Sequence, residues 1–133
     1  MNYLLDTNIV IFFFKGNQKV LEAIDKVGIN HCFISEITLA ELKYGAAFSQ
    51  NPPKHIAQIE KLLQYVAVIP ITAAIDLYAT EKARLRKTGQ LIDDFDLLIG
   101  ATALTNQMTL VTNNLKHFKR LDNIDLQDWS SHS

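Results

Sequence analysis

Residues 1–14 read MNYLLDTNIVIFFF, an apolar stretch broken by three polar residues, Asp6-Thr7-Asn8. Tyr3 to Asp6 has the character of a short buried strand, and Ile9 to Lys15 resumes as an apolar helix. Asp, Thr and Asn are favoured helix N-caps, so the break has a plain explanation as the start of that helix. A carboxylate at the C-terminal end of a strand carries a second meaning in an α/β protein, because such folds gather ligands at that edge of the sheet. The partners of Asp6 elsewhere in the chain decide between the two.

Working outward, apolar runs alternate with helical patterns. Lys19 to Val27 places Val20, Leu21, Ile24 and Val27 on one helical face, Cys32 to Ser35 is a second strand, and Ile37 to Phe48 is a helix with Leu39, Leu42 and Ala46 at helical spacing. Asn51-Pro52-Pro53 breaks that helix, and His55 to Tyr65 continues with the apolar stripe Ile56, Ile59, Leu62 and Leu63, making a helical hairpin over about 37–65. Val66 to Ile71 is a third strand, Ala73 to Lys87 a long helix stopped near Gly89, Phe95 to Asn106 a further helix, Thr109 to Thr112 a fourth strand and Ile124 to Gln127 a short last one. Strands separated by helices argue for a mainly parallel sheet of four to five strands covered on both faces.

The bulk composition sets bounds. A length of 133 residues suits one domain over 1–133, with a tail at 130–133 that is expected to fray. A formal net charge of −1 gives no overall preference for nucleic acid, so any RNA-binding surface must be local. Cys32 is the single cysteine; it cannot form an internal disulfide and reads as a small buried hydrophobe suited to a reducing cytoplasm. No secretory leader pattern opens the sequence, and Ile9 to Phe14 is too short to span a bilayer, which gives an expectation of a cytoplasmic chain with no membrane partner.

The acids fall where a parallel sheet would collect them. Asp6 ends the first strand, Glu36 and Glu41 follow the second, Asp93, Asp94 and Asp96 open a helix, and Asn113-Asn114 follows the fourth. Capping and the helix dipole account for one or two of Asp93, Asp94 and Asp96. Asp96, however, enters the apolar and small run Leu97-Leu98-Ile99-Gly100-Ala101, where a third acid is costly unless neutralised. Carboxylates converging on one edge repel each other, and a hard divalent cation such as Mg²⁺ or Mn²⁺ relieves that repulsion through oxygen ligands. His31, His55, His117 and His132 are scattered, so no zinc-type set exists. Metal held by such acids activates water and polarises phosphoryl oxygens, which is the chemistry of phosphodiester hydrolysis; one ion or two remain open.

Five stretches in order, YLLDTNI, ISEITLAELKYGA, DFDLLIGATAL, LVTNNLKHFKRL and DLQDW, resemble the PIN domain, in particular the VapC-type toxin ribonucleases of bacterial type II toxin–antitoxin modules. The resemblance covers nearly the whole chain and implies a three-layer α/β/α sandwich. It also implies an Mg²⁺- or Mn²⁺-dependent endoribonuclease acting on a structured RNA such as tRNA. It puts the metal-binding acids on Asp6, Glu41 and Asp96, a further acid acting through water on Asp94, and supporting polar roles on Thr7, Asn8 and Thr112. A fourth acid of many relatives falls on Asn114, which can ligate or orient water but brings no negative charge. Gly100 stands where relatives often carry Ala. The resemblance further implies a homodimer, higher assembly with a small VapB-like antitoxin whose C-terminal segment covers the active site, and contact with operator DNA only through that antitoxin.

Lys116, His117, Lys119 and Arg120 after Asn114, and Lys82, Arg84, Arg86 and Lys87 near the acidic loop, are candidates for the phosphate backbone. Solvated surface is the plain alternative for both runs, as core packing is for Phe12 to Phe14, Tyr44 and Phe48 against a role in partner contacts. Two rivals to a ribonuclease stand: a catalytically weak PIN-like RNA-binding module, for which Asn114 is the one foothold, and a metal-dependent phosphatase or DNase on the same acids. A Rossmann- or flavodoxin-like nucleotide binder is disfavoured, because no glycine-rich loop follows the first strand.

Overall fold

Five short strands, β1 (Tyr3–Leu5), β2 (Cys32–Ser35), β3 (Ala67–Ile69), β4 (Thr109–Val111) and β5 (Leu126–Gln127), form one sheet in the order β3-β2-β1-β4-β5. Every pairing is parallel, with Tyr3 opposite both Cys32 and Thr109 and Leu5 opposite Val111. The structure is a computed structural model and describes residues 1–131. Of the tail expected to fray, residues 132 and 133 lie outside the described residues, whereas Ser130 donates from its backbone N (2.8 Å) and its hydroxyl (2.6 Å) to the Asp128 carboxylate.

Strand alternation sends neighbouring side chains to opposite layers. Leu5, Cys32, Ile34 and Val111 pack with the first four helices, α1 (Thr7–Phe14), α2 (Gln18–Val27), α3 (Glu36–Phe48) and α4 (Pro52–Leu63). Leu4 and Leu110 pack instead with α5 (Ile75–Lys87), α6 (Asp94–Thr105) and α7 (Leu115–Phe118), through Leu85, Leu97, Ile99 and Phe118. The last six named are fully buried, and each such side chain contributes about 1.5–3 kcal/mol by leaving water. The result is the expected α/β/α sandwich. Its strand order reverses between β1 and β4, so the C-terminal ends of these two strands flank the crevice where open α/β sheets bind ligands.

Several boundaries differ from the sequence reading. The helix expected from His55 starts at Pro52, because Asn51 caps it by accepting from Lys54 N (3.4 Å) and the two prolines occupy its first turn, where a missing N–H costs nothing. The third strand is only Ala67–Ile69: Val66 N still bonds to Leu62 O at the end of α4, and a 3-10 turn at Thr72–Ala74 begins the approach to α5. The last strand is likewise cut to Leu126–Gln127. Tyr44 and Phe48 are exposed and stacked on each other at 6.0 Å between ring centroids, so they lie outside the core. Cys32 is buried, as expected. Among the described residues no helix is long and apolar enough to cross a membrane.

Candidate active site

Asp6 is the first residue past β1, and its N–H donates to Val111 O (2.9 Å), so the β1–β4 ladder runs up to the acid itself. Its backbone is extended and it caps α1, with Oδ1 accepting from Thr7 N (2.8 Å). The cap and the strand-end acid are therefore one residue; Thr7 is the first helical residue and is free to use its hydroxyl elsewhere. Oδ2 of Asp6 accepts from the fully buried Thr112 hydroxyl (2.8 Å), which reaches across from the end of β4. Only 4% of Asp6 is exposed, and this burial pushes its carboxyl above the usual range against the opposing pull of the two hydrogen bonds.

Glu41 comes from the second turn of α3. The Thr7 hydroxyl donates to its Oε1 (2.7 Å) and lies 3.0 Å from the Thr38 hydroxyl, joining the starts of α1 and α3. Ser35 fixes the start of α3 by accepting from Thr38 N (3.1 Å). The neighbouring acid Glu36 points elsewhere: it accepts from Ile71 N (2.8 Å) and ties α3 to the chain after β3.

The acidic loop separates its three members by role. Asp93 caps α6, accepting from Phe95 N (3.1 Å). Asp94 is held by Lys82 (2.8 Å) and accepts from the Tyr78 hydroxyl (2.9 Å), which keep its carboxyl below the usual range. Asp96, half-buried in the first turn of α6, has its carboxyl pushed up to about 6, by burial first and then by the negative charges of Asp6, Asp93 and Glu41. The structure thus brings Asp6, Glu41 and Asp96 into one electrostatic field and commits Asp94 to a lysine beside it. Asp93 joins that field, a contribution the sequence reading reserved for capping.

The oxygen-rich, mutually repelling set suits a hard divalent cation, and Asp6 keeps unused lone pairs beyond its two hydrogen bonds. Among the described residues, though, no three His, Cys, Asp or Glu side chains are gathered into a metal-holding cluster; the acids share a field without forming a cage. Thr38, which lies against Thr7, was not singled out from sequence, and nothing in its local pattern marks it.

Asn114 follows β4. Its N–H donates to Thr112 Oγ1 (3.0 Å) and its side-chain amide lies 2.9 Å from His117 Nδ1. Asn8 meets Asn113 at 3.4 Å at the exposed rim. Of the basic residues, Arg84 binds Glu81 (2.6 Å) and Arg120 O (2.7 Å), and Arg120 in turn donates to Leu91 O (3.0 Å) and Gln90 O (3.4 Å). Both arginines therefore brace the loop leading to Asp93. Lys82 is paired with Asp94.

The family model of the PIN domain matches residues 3–124. The chain belongs to the PIN domain family. It is 37% identical over 134 residues to the ribonuclease VapC2 of Haemophilus influenzae, covering 97% of this chain and 98% of that one. It is 32% identical over 131 residues to the tRNA(fMet)-specific endonuclease VapC of Shigella flexneri, covering 98% and 99%. Among solved structures, VapBC2 of Rickettsia felis bound to a promoter DNA fragment contains a chain that superposes with a TM-score of 0.89 at 32% identity, with 97% of this chain and 99% of that chain covered. This PIN-domain chain thus shares its overall fold with that solved relative.

Proposed function

We propose that this chain is an endoribonuclease that depends on Mg²⁺ or Mn²⁺ and is the toxin of a VapBC-type pair. The observation that carries the reading is the state of Asp6, Glu41 and Asp96. They lie at the C-terminal edge of the sheet, where burial first and the neighbouring negative charges second push the Asp96 carboxyl up to about 6, and among the described residues none of them is paired with a cation of the protein. A bound cation would be drawn to this field and take its oxygen ligands from among these acids. It would supply Lewis acidity toward a phosphodiester and lower the pKa of water.

The chain's own contribution is orientation. Thr112 and Thr7 N fix the Asp6 carboxylate, the Thr7 hydroxyl fixes Glu41, and the braced loop presents Asp96. Asp94, held by Lys82 and Tyr78 beside these acids, would act through water. The names of the relatives support RNA as substrate, with a structured RNA such as tRNA supported by the Shigella enzyme, and the solved VapBC complex supports a VapB-like antitoxin as partner. A groove of about 460 Å³ between α1 and the α3–α4 hairpin, with Glu41 at its edge and Ile11, Leu42 and Ile59 in its walls, suits an antitoxin segment. The reading includes a homodimer, operator DNA reached only through the antitoxin, and a cytoplasmic location.

The test is to incubate the antitoxin-free chain with bacterial tRNA and with single-stranded DNA, each with Mg²⁺, Mn²⁺ or EDTA, beside an Asp6→Asn control. Discrete RNA fragments that require metal and Asp6 are expected. RNA that is bound but left intact would move the assignment to an RNA-binding module.

A further inference from the structure

The departure at Asn114 has a partner. Thr112 Oγ1 spends its one hydrogen on Asp6 Oδ2 and accepts from Asn114 N, which sets Asn114 at the end of β4. With Nδ2, a donor only, turned toward His117 Nδ1 at 2.9 Å, the Asn114 amide pairs with the ring tautomer whose Nδ1 accepts. A neutral ring that accepts at Nδ1 bears its hydrogen on Nε2. His117 is exposed, and no described residue takes a hydrogen bond from Nε2. Lys116 and Lys119 beside it are exposed and paired with no acid among the described residues, whereas Lys82 and Arg84 near the acidic loop are already engaged.

We infer that His117 is a phosphate-binding residue for the RNA backbone, set in its Nε2–H form by Asn114 and anchored to Asp6 through Thr112. This rests on the ribonuclease reading above for the identity of the ligand. A carboxylate at position 114 would reverse the arrangement: it can only accept, so it selects the neutral ring with hydrogen on Nδ1 and leaves Nε2 as an acceptor. Asn114 and His117 thus act as a unit, and the amide supplies what a phosphate oxygen needs, a fixed donor.

Two measurements on the full, antitoxin-free chain test this. Nitrogen-15 NMR of the metal-free protein at about pH 8, where an imidazole is neutral, reports which ring nitrogen carries the hydrogen. Wild type is expected to show His117 protonated on Nε2, and Asn114→Asp to lose that form. Binding of a single-stranded RNA oligonucleotide in EDTA, where cleavage is suppressed, is expected to weaken about tenfold in His117→Ala and in Asn114→Asp, and to stay within about threefold in His117→Gln, whose amide can donate in place of Nε2. Wild-type RNA affinity in His117→Ala, or a wild-type ring protonated on Nδ1, would overturn the inference. Absence of metal-dependent cleavage alongside the expected binding pattern would count against the ribonuclease reading and leave this one standing.

Discussion

Asp96→Asn should stabilise the metal-free protein while removing its activity. A carboxyl held at about 6 in the fold, against an ordinary 3.8, binds its proton more tightly folded than unfolded. Stability therefore falls as pH rises from 3.8 through about 6, and the full cost is present above that. At about 1.4 kcal/mol per pH unit the shift corresponds to about 3 kcal/mol for a fully buried group, and the solvent-open half of Asp96 reduces this to about 1–1.5 kcal/mol. For a chain of this size that is a gain in Tm of about 3–6 °C for Asn over Asp near pH 7.5 in EDTA. The difference should vanish near pH 4, where Asp96 is protonated in the fold. Thermal unfolding of both proteins across this range, followed by circular dichroism, gives the curve directly. A variant no more stable than wild type at pH near 7.5, or a gain that persists unchanged at pH near 4, would refute the raised Asp96 carboxyl that burial and the neighbouring charges produce. Adding Mg²⁺ or Mn²⁺ should raise the Tm of wild type and move that of Asp96→Asn less, since the acid that attracts the ion is gone.

Asp6→Asn keeps an N-cap residue at the start of α1 and removes a buried charge, so cleavage should be lost with Tm within about 3 °C of wild type; a cleaving variant would remove Asp6 from the metal set. Thr112→Val deletes the donor to Asp6 Oδ2 and the acceptor for Asn114 N in a fully buried position, and should cost about 1–3 kcal/mol in denaturant unfolding, with Thr112→Ser recovering most of it. Gly100→Ala gains about 1 kcal/mol of helix propensity, but the added Cβ would overlap Leu121 Cδ1 and touch Phe118 Cδ1 at 3.4 Å, both in buried residues; the net effect should be a loss of about 1–2 kcal/mol. In a Leu121→Ala background the same substitution should become stabilising, and additive values in that double-mutant cycle would show that the crowding is not what matters.

Legibility of the sequence follows the range of the interactions. Short apolar runs placed the strands because the three central ones, β2, β1 and β4, are largely buried, and the strand-end position of Asp6 followed from that. Helix starts were harder wherever a cap decided them: Asn51 and the prolines behind it look like a break until the helix they begin is seen, and Asp6 rather than Thr7 or Asn8 caps α1. The four-residue α7 is too short to show any period. Tyr44 and Phe48 lie two residues past Leu42 and Ala46, which turns them to the opposite face of α3, where they remain in solvent. The pairing of Asp94 with Lys82 joins two helices, so nothing local to the DDFD run separates it from Asp96.

That last distinction sorts the acids by purpose. Glu36 accepts from Ile71 N, Asp94 holds Lys82, and Glu81, itself buried, holds Arg84; each is satisfied by the fold that carries it. Asp6 and Glu41 have hydroxyls and a backbone N–H as partners, and neither these nor Asp96 has a protein cation among the described residues. A fold that neutralises Glu81 with a nearby arginine could have done the same at the β1–β4 edge. Instead it braces the loop before Asp93 with Arg120 through main-chain carbonyls, a contact that positions the acids without discharging them. Holding unpaired carboxylates in one field destabilises the free chain, a cost that the divalent ion of the proposed function would offset.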